Sequence, residues 1–405
     1  RPQLTIGTPA FTGAHKFSDE DEGGEAWGEL LGTGERLPYG EFAEEILENS
    51  KQTEGKEDFA DVGEALSIFN LSEDEVQLIP SFQPTAKELT VDQSISLFQI
   101  LLHRIGLDQG DTPWTIDIST GAGISVSAKA RKISIPQTRV IKASEVRYLL
   151  AHESVHIIRG ANGERQPSAL LQTGLEGYLE TEEGIAVMAE MIVGEPFGSD
   201  RQRKQAARYL AVDLALQTTG EKVYQKPKYS TQEIYTILTK KYSVPHEDAA
   251  DIVWRIIRGT SLKRELVDIK VNNPDGQPTK RKVPEAYTKD AVYFLGMQKL
   301  FEWFKSSLPE HGGLTTMLHA RKDFSSVSLL IIRKILEQHN LSRYSATDRP
   351  TREALETEGR NALLDLIDVL LIGKINLETL DDPEWTQLLR PGEISYKQLF
   401  VPKTS

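Results

Sequence analysis

The chain has no cysteine. That absence removes disulfide frameworks, cysteine nucleophiles and cysteine-ligated zinc in one step. It does not fix the compartment, because a cysteine-free chain survives in either redox state. Long apolar runs are missing too. No stretch approaches the roughly 18 apolar residues of a membrane helix, so no membrane partner is expected. Positive charge is short: 47 Lys and Arg stand against 60 Asp and Glu, a net charge of −13. Phosphate contact needs clustered Lys and Arg, so no nucleic-acid partner is expected. Local basic patches remain at Arg201–Arg208 and Lys280–Lys282. They read as a solvated helix face and a polar loop, or as a surface that meets an acidic peptide. A cytoplasmic location is the expectation, with secretion left open because the chain starts at Arg1.

What is present is ordinary for a globular protein: 39% hydrophobic and 26% charged residues in a chain of 405. That length is too great for one small core. The expected divisions are an acidic, partly ordered N-terminal segment over 1–60, a helical region over 61–110, a catalytic domain over 111–345 and a helical C-terminal extension over 346–405. Alternation in Thr115–Ile118, Gly123–Ser127 and Lys132–Ile135 predicts two or three short strands in an antiparallel meander, closed by Pro136. Ser144 is a suitable N-cap for a helix running to Arg159, with Gly160 as its stop. A second helix is predicted from Thr181 to Val193, and a short one near Phe42–Asn49. Further helices are expected at 200–218, 231–242, 246–258, 289–306, 314–319, 326–338 and 352–372, with a hairpin around Asn273–Gly276. The fold class is therefore α+β, mainly α, with a small antiparallel sheet beside the helix that starts at Ser144.

That helix carries His152-Glu153-Ser154-Val155-His156. Histidines four apart lie one turn apart on one helix face, so both can bind a single ion. Glu153 beside the first of them can take a proton from metal-activated water and deliver it to a leaving amine. The flanks Tyr148-Leu149-Leu150 and Ile157-Ile158 are apolar. Two histidines and a glutamate on such a helix must be paired, or their burial is costly. Zn2+ is the expected cofactor. A metzincin needs Gly three and His six residues after the second histidine; Arg159 and Asn162 stand there instead. A gluzincin takes its third ligand from a following helix, where Thr181-Glu182-Glu183-Gly184-Ile185-Ala186 offers two carboxylates. Glu183-Gly184-Ile185-Ala186 resembles the ligand-bearing stretch of gluzincin aminopeptidases, and on that resemblance Glu183 is favoured as the ligand. Glu182, or Asn162, is then a candidate to orient a ligating histidine from behind.

The run from Ala151 to Val187 resembles the microtubule-associated tyrosine carboxypeptidase family and its bacterial relatives with a QEGLA motif. The resemblance rests on His152-Glu153, His156, Arg159-Gly160-Ala161-Asn162, Arg165-Gln166-Pro167, and Gly174–Tyr178 leading into Thr181–Ala186. A second block, Arg255 to Gly259 and then Thr288-Lys289-Asp290 with Tyr293 and Gly296, is similar to the family's later stretches. Together they cover about residues 110–305. Family members space the histidines one residue further apart than this chain does. The resemblance implies a zincin-like carboxypeptidase releasing a C-terminal residue such as tyrosine from a peptide or protein tail. Such an enzyme needs a cation for the terminal carboxylate, for which Arg159, Arg255, Arg258 and Lys289 are candidates. Tyr293 is a candidate oxyanion donor. The strands between Ile124 and Ile135 could offer an edge to an extended peptide. Alternatives with the same site are an endopeptidase, an aminopeptidase, or a non-catalytic protein in which zinc holds helices together for a partner. Oligomeric state is left open.

Overall fold

The computed structural model describes residues 40–49, 59–193 except 122 and 176, 200–219, 226–257, 266–272, 278–284, 286, 290–306, 364, 367–377, 382 and 388–401. The helices expected at 314–319 and 326–338, most of that at 352–372, and the turn Asn273–Gly276 lie outside these residues. Among the described residues no helix is long and apolar enough to cross a membrane. The chain is mainly helical with small sheets, and it divides into two compact units. One holds Arg1–Lys56 and Pro196–Gln298, the other Glu57–Glu195 and Lys299–Ser405.

In the first unit, α1 (Gly40–Asn49) packs on α8 (Asp200–Leu216), which also meets α9 (Thr231–Thr236) and α10 (His246–Ile257). Leu210, Ile234, Leu238 and Ile252 form its apolar centre. Ser230 and Glu233 close a reciprocal capping box at the start of α9. Strands β6 (Thr218–Thr219) and β7 (Lys226–Pro227) pair antiparallel, and so do β8 (Leu266–Asn272) and β9 (Pro278–Pro284), as the expected hairpin requires.

The second unit is built round α5 (Ala143–Glu164). Before it come α2 (Val62–Leu66), α3 (Glu73–Gln77) and α4 (Val91–Arg104), the last begun by a capping box between Thr90 and Gln93. The strands β2 (Thr115–Ser119), β3 (Ser125–Ser127) and β4 (Lys132–Pro136) form one sheet in the order β2-β4-β3. The expected meander is corrected here. β3 and β4 are antiparallel, but β2 runs parallel to β4 on its other side. Burial explains the order. Ile133 and Ile135 are wholly buried, so β4 takes the centre, whereas Ile118 on β2 is 57% exposed and takes an edge.

Two boundaries of α5 also differ from expectation. The helix begins at Ala143 without a side-chain cap, because strand β5 (Ile141–Lys142), paired antiparallel with β1 (Glu88–Leu89), runs straight into it and the Ala143 N–H donates to the Lys87 carbonyl. Nor does Gly160 end it. A Cβ at Gly160 would come within 2.5 Å of the Ala128 Cβ, so the glycine serves close packing of α5 on the β3–β4 turn. That contact offsets the roughly 1 kcal/mol that glycine costs inside a helix.

Against α5 lie the short α6 (Ala169–Thr173), α7 (Tyr178–Ile192) and the chain near the C-terminus. Asn162 donates to the carbonyls of Leu371 and Ile394 and accepts from the Ile394 N–H. Gln166 donates to the carbonyls of Ile372 and Arg390 and accepts from the Arg390 N–H. The Tyr396 hydroxyl donates to the Ala151 carbonyl at 2.8 Å. Each of these side chains is buried, so the backbone it binds replaces the water it has lost.

Candidate metal centre

His152 and His156 project from α5 one turn apart, their ring centroids separated by 5.0 Å. α7 packs along this helix and supplies Glu182, Glu183 and Glu190, all buried. His152, His156 and Glu183 each offer one ligand atom, and these atoms lie within 4.8 Å of one another.

The outer nitrogens of both rings are occupied. His152 Nδ1 lies 2.7 Å from Glu190 Oε1, and His156 Nδ1 lies 2.6 Å from Glu182 Oε1. A carboxylate can only accept, so each Nδ1 donates and each neutral ring keeps its lone pair on Nε2. Those lone pairs face Glu183. Its Oε2 is 3.4 Å from His152 Nε2 and 3.6 Å from His156 Nε2. Both separations are too long for a well-formed hydrogen bond, and this buried oxygen has no hydrogen-bond partner. A buried acceptor left unpartnered is costly. Here three potential electron-pair donors converge, and that arrangement fits a metal cation.

Charge reinforces the fit. Glu153, Glu182, Glu183 and Glu190 bring four buried carboxyl groups, and Arg159 is the permanent cation buried among them. Burial disfavours the charged imidazole of His152, yet the carboxylates of Glu183 and Glu190 outweigh it and hold this histidine well above the usual range. His156 is raised in the same way, against burial, by Glu183 and Glu182. The metal-free centre thus draws protons onto its histidines, and a bound cation would replace them. Burial pushes the Glu153 carboxyl up, and the neighbouring histidines oppose this. For Glu182, burial is outweighed by His156 and Arg159, which hold its carboxyl low.

The other residues singled out in the sequence have varied surroundings. Glu182 does sit behind a histidine. Asn162 does not: it points about 80° round the helix from His152 and is engaged by the C-terminal segment described above. Arg159 is wholly buried, and its guanidinium donates to the carbonyls of Gly373, Tyr178 and Ile375 and lies 3.5 Å from Glu182. The guanidinium is thus enclosed by the chain's own carbonyls and Glu182. Arg255 belongs to the first unit, where Asp290 binds it through two nitrogens and holds it above the ordinary guanidinium range. Tyr293 is half-buried in that unit too, on α11 (Ala291–Ser306). Arg258 and Lys289 lie outside the described residues.

One residue of the centre was not anticipated. Glu190 stands seven residues after Glu183, two turns along the same face of α7, within the otherwise apolar run Ala186–Ile192. A lone carboxylate in such a run was the available signal.

The model of the microtubule-associated tyrosine carboxypeptidase family matches residues 32–267 of the chain. Comparison with curated proteins and with solved structures finds no match.

Proposed function

The chain belongs to the microtubule-associated tyrosine carboxypeptidase family, and on that footing we propose that it is a zinc peptidase of gluzincin type that trims the C-terminal tail of a peptide or protein. The observation that carries this reading is the convergence of His152, His156 and Glu183, with a buried Glu183 oxygen that bonds to nothing. These three would hold the zinc ion. Zinc would supply Lewis-acid chemistry, polarising the scissile carbonyl and making water a stronger nucleophile.

The remaining roles fall to the chain's own groups. Glu182 and Glu190 accept the Nδ1 protons of His156 and His152 and so fix both rings with Nε2 turned inward. Glu153 acts as general base: it takes the proton of the attacking water and passes it to the leaving amine.

The test is a set of peptides offered with free or amidated C-termini, with and without a chelator, and read by mass spectrometry. Loss of single residues from free C-termini alone, abolished by the chelator, is expected. Internal cleavage would leave the metal reading in place and remove the carboxypeptidase one. Cleavage insensitive to the chelator would remove both.

A further inference from the structure

Arg159 is a buried cation that takes no part in the chemistry just described, and its partners come from three places in the chain. Its Nε donates to the Gly373 carbonyl at 2.7 Å, its Nη2 to the Ile375 carbonyl, and its Nη1 to the Tyr178 carbonyl at 3.0 Å. The same Nη1 lies 3.5 Å from Glu182 Oε2, while the other oxygen of Glu182 accepts from His156 Nδ1. The carbonyls orient the guanidinium fork but cannot neutralise it; the Glu182 carboxylate does. A continuous polar path therefore runs from residues 373–375 through Arg159 and Glu182 to a candidate metal ligand.

The segment at its far end is held firmly. Asn162 and Gln166, further along α5, bind backbone groups of Leu371, Ile372, Arg390 and Ile394. A Cβ at Gly392 would lie 2.7 Å from Asn162 Nδ2, so the backbone comes as close to that amide as glycine permits. None of these strap residues falls within the family match, which ends at residue 267.

We propose that residues 371–377 and 388–394 form a strap that positions the His156–Glu182 pair through Arg159, making Arg159 a positioning residue and the strap a working part of the metal centre. This rests on the zinc reading above. It differs from plain structural support in one respect: Arg159 acts on the metal only by way of Glu182.

The experiment measures zinc dissociation constants by chelator competition on full-length chains, at a temperature where circular dichroism shows each variant folded. Uptake by the wild type is measured first; if it takes up no zinc, the underlying reading fails and this proposal with it. Given uptake, Arg159→Gln and Glu182→Gln should each weaken zinc by roughly ten- to a hundredfold. The double variant should bind no more weakly than Glu182→Gln alone. Arg159→Lys, which keeps the charge and loses the fork, should weaken zinc less than Arg159→Gln. Asn162→Ala, which loosens the strap without touching Glu182, should weaken it measurably. Effects that multiply in the double variant would overturn the proposal. So would wild-type affinity in Arg159→Lys and Asn162→Ala, the pair to use if Arg159→Gln does not fold.

Discussion

Glu183 Oε2 lies 3.4 Å from His152 Nε2, on a line between two helices, and neither atom completes a hydrogen bond to the other. Metal-free, that oxygen helps to draw protons onto the two histidines; in the proposed metal-bound state it is a ligand. Glu183→Gln should therefore act on both states. Zinc affinity should fall by at least about a hundredfold. The metal-free variant should unfold at a lower temperature near neutral pH than the metal-free wild type, because Glu183 helps to hold His152 and His156 protonated and its loss breaks a buried charge pair. Calorimetry with and without chelator checks both.

Glu190 supports His152 from the far side of the ring. Glu190→Gln keeps the shape of the side chain but removes the charge that sets the ring's tautomer. Zinc should bind roughly ten- to a hundredfold more weakly, a smaller loss than for Glu183→Gln. Chelator competition on the two variants side by side ranks them.

Protons and metal compete for the same two nitrogens. Because His152 and His156 are held above the usual imidazole range in the metal-free centre, they stay protonated to a higher pH than ordinary histidines. Zinc bound as proposed would have to release those protons. Affinity should rise with pH through the neutral range, by up to about two decades per unit where both rings are protonated. Isothermal titration in buffers of different ionisation enthalpy counts the protons released, and a count of zero would refute the assignment.

Gly160 is a packing test independent of chemistry. A methyl group there meets the Ala128 Cβ at 2.5 Å. Gly160→Ala should destabilise the fold by about 1–3 kcal/mol, despite alanine's better helix propensity. Urea unfolding measures this; a stabilised variant would show that the helix does not lie against the β3–β4 turn.

Local pattern carried much of this account. The four-residue spacing of His152 and His156, the apolar flanks that imply a buried helix, and Glu183 on the next helix are all near-neighbour signals, and the structure brings these side chains together. The β8–β9 hairpin was legible for the same reason. What sequence did not disclose depends on pairing across distance. The parallel register of Ile116 with Ile133 follows from which strand is most apolar, not from the turns between them. Gly160 looks like a helix stop until Ala128 is placed against it. Arg159 looks like an available cation until carbonyls more than two hundred residues later enclose it.

The central claim is that this buried cluster is a catalytic zinc centre with Glu153 as its base. The most direct measurement compares wild type and Glu153→Gln for zinc content and for release of C-terminal residues from the same peptides. The account predicts one zinc per chain in both proteins and release by the wild type only, with the rate in the variant lower by at least about a hundredfold. Equal rates in the two proteins would contradict it, and so would a wild type that holds zinc and releases nothing from any peptide in the set.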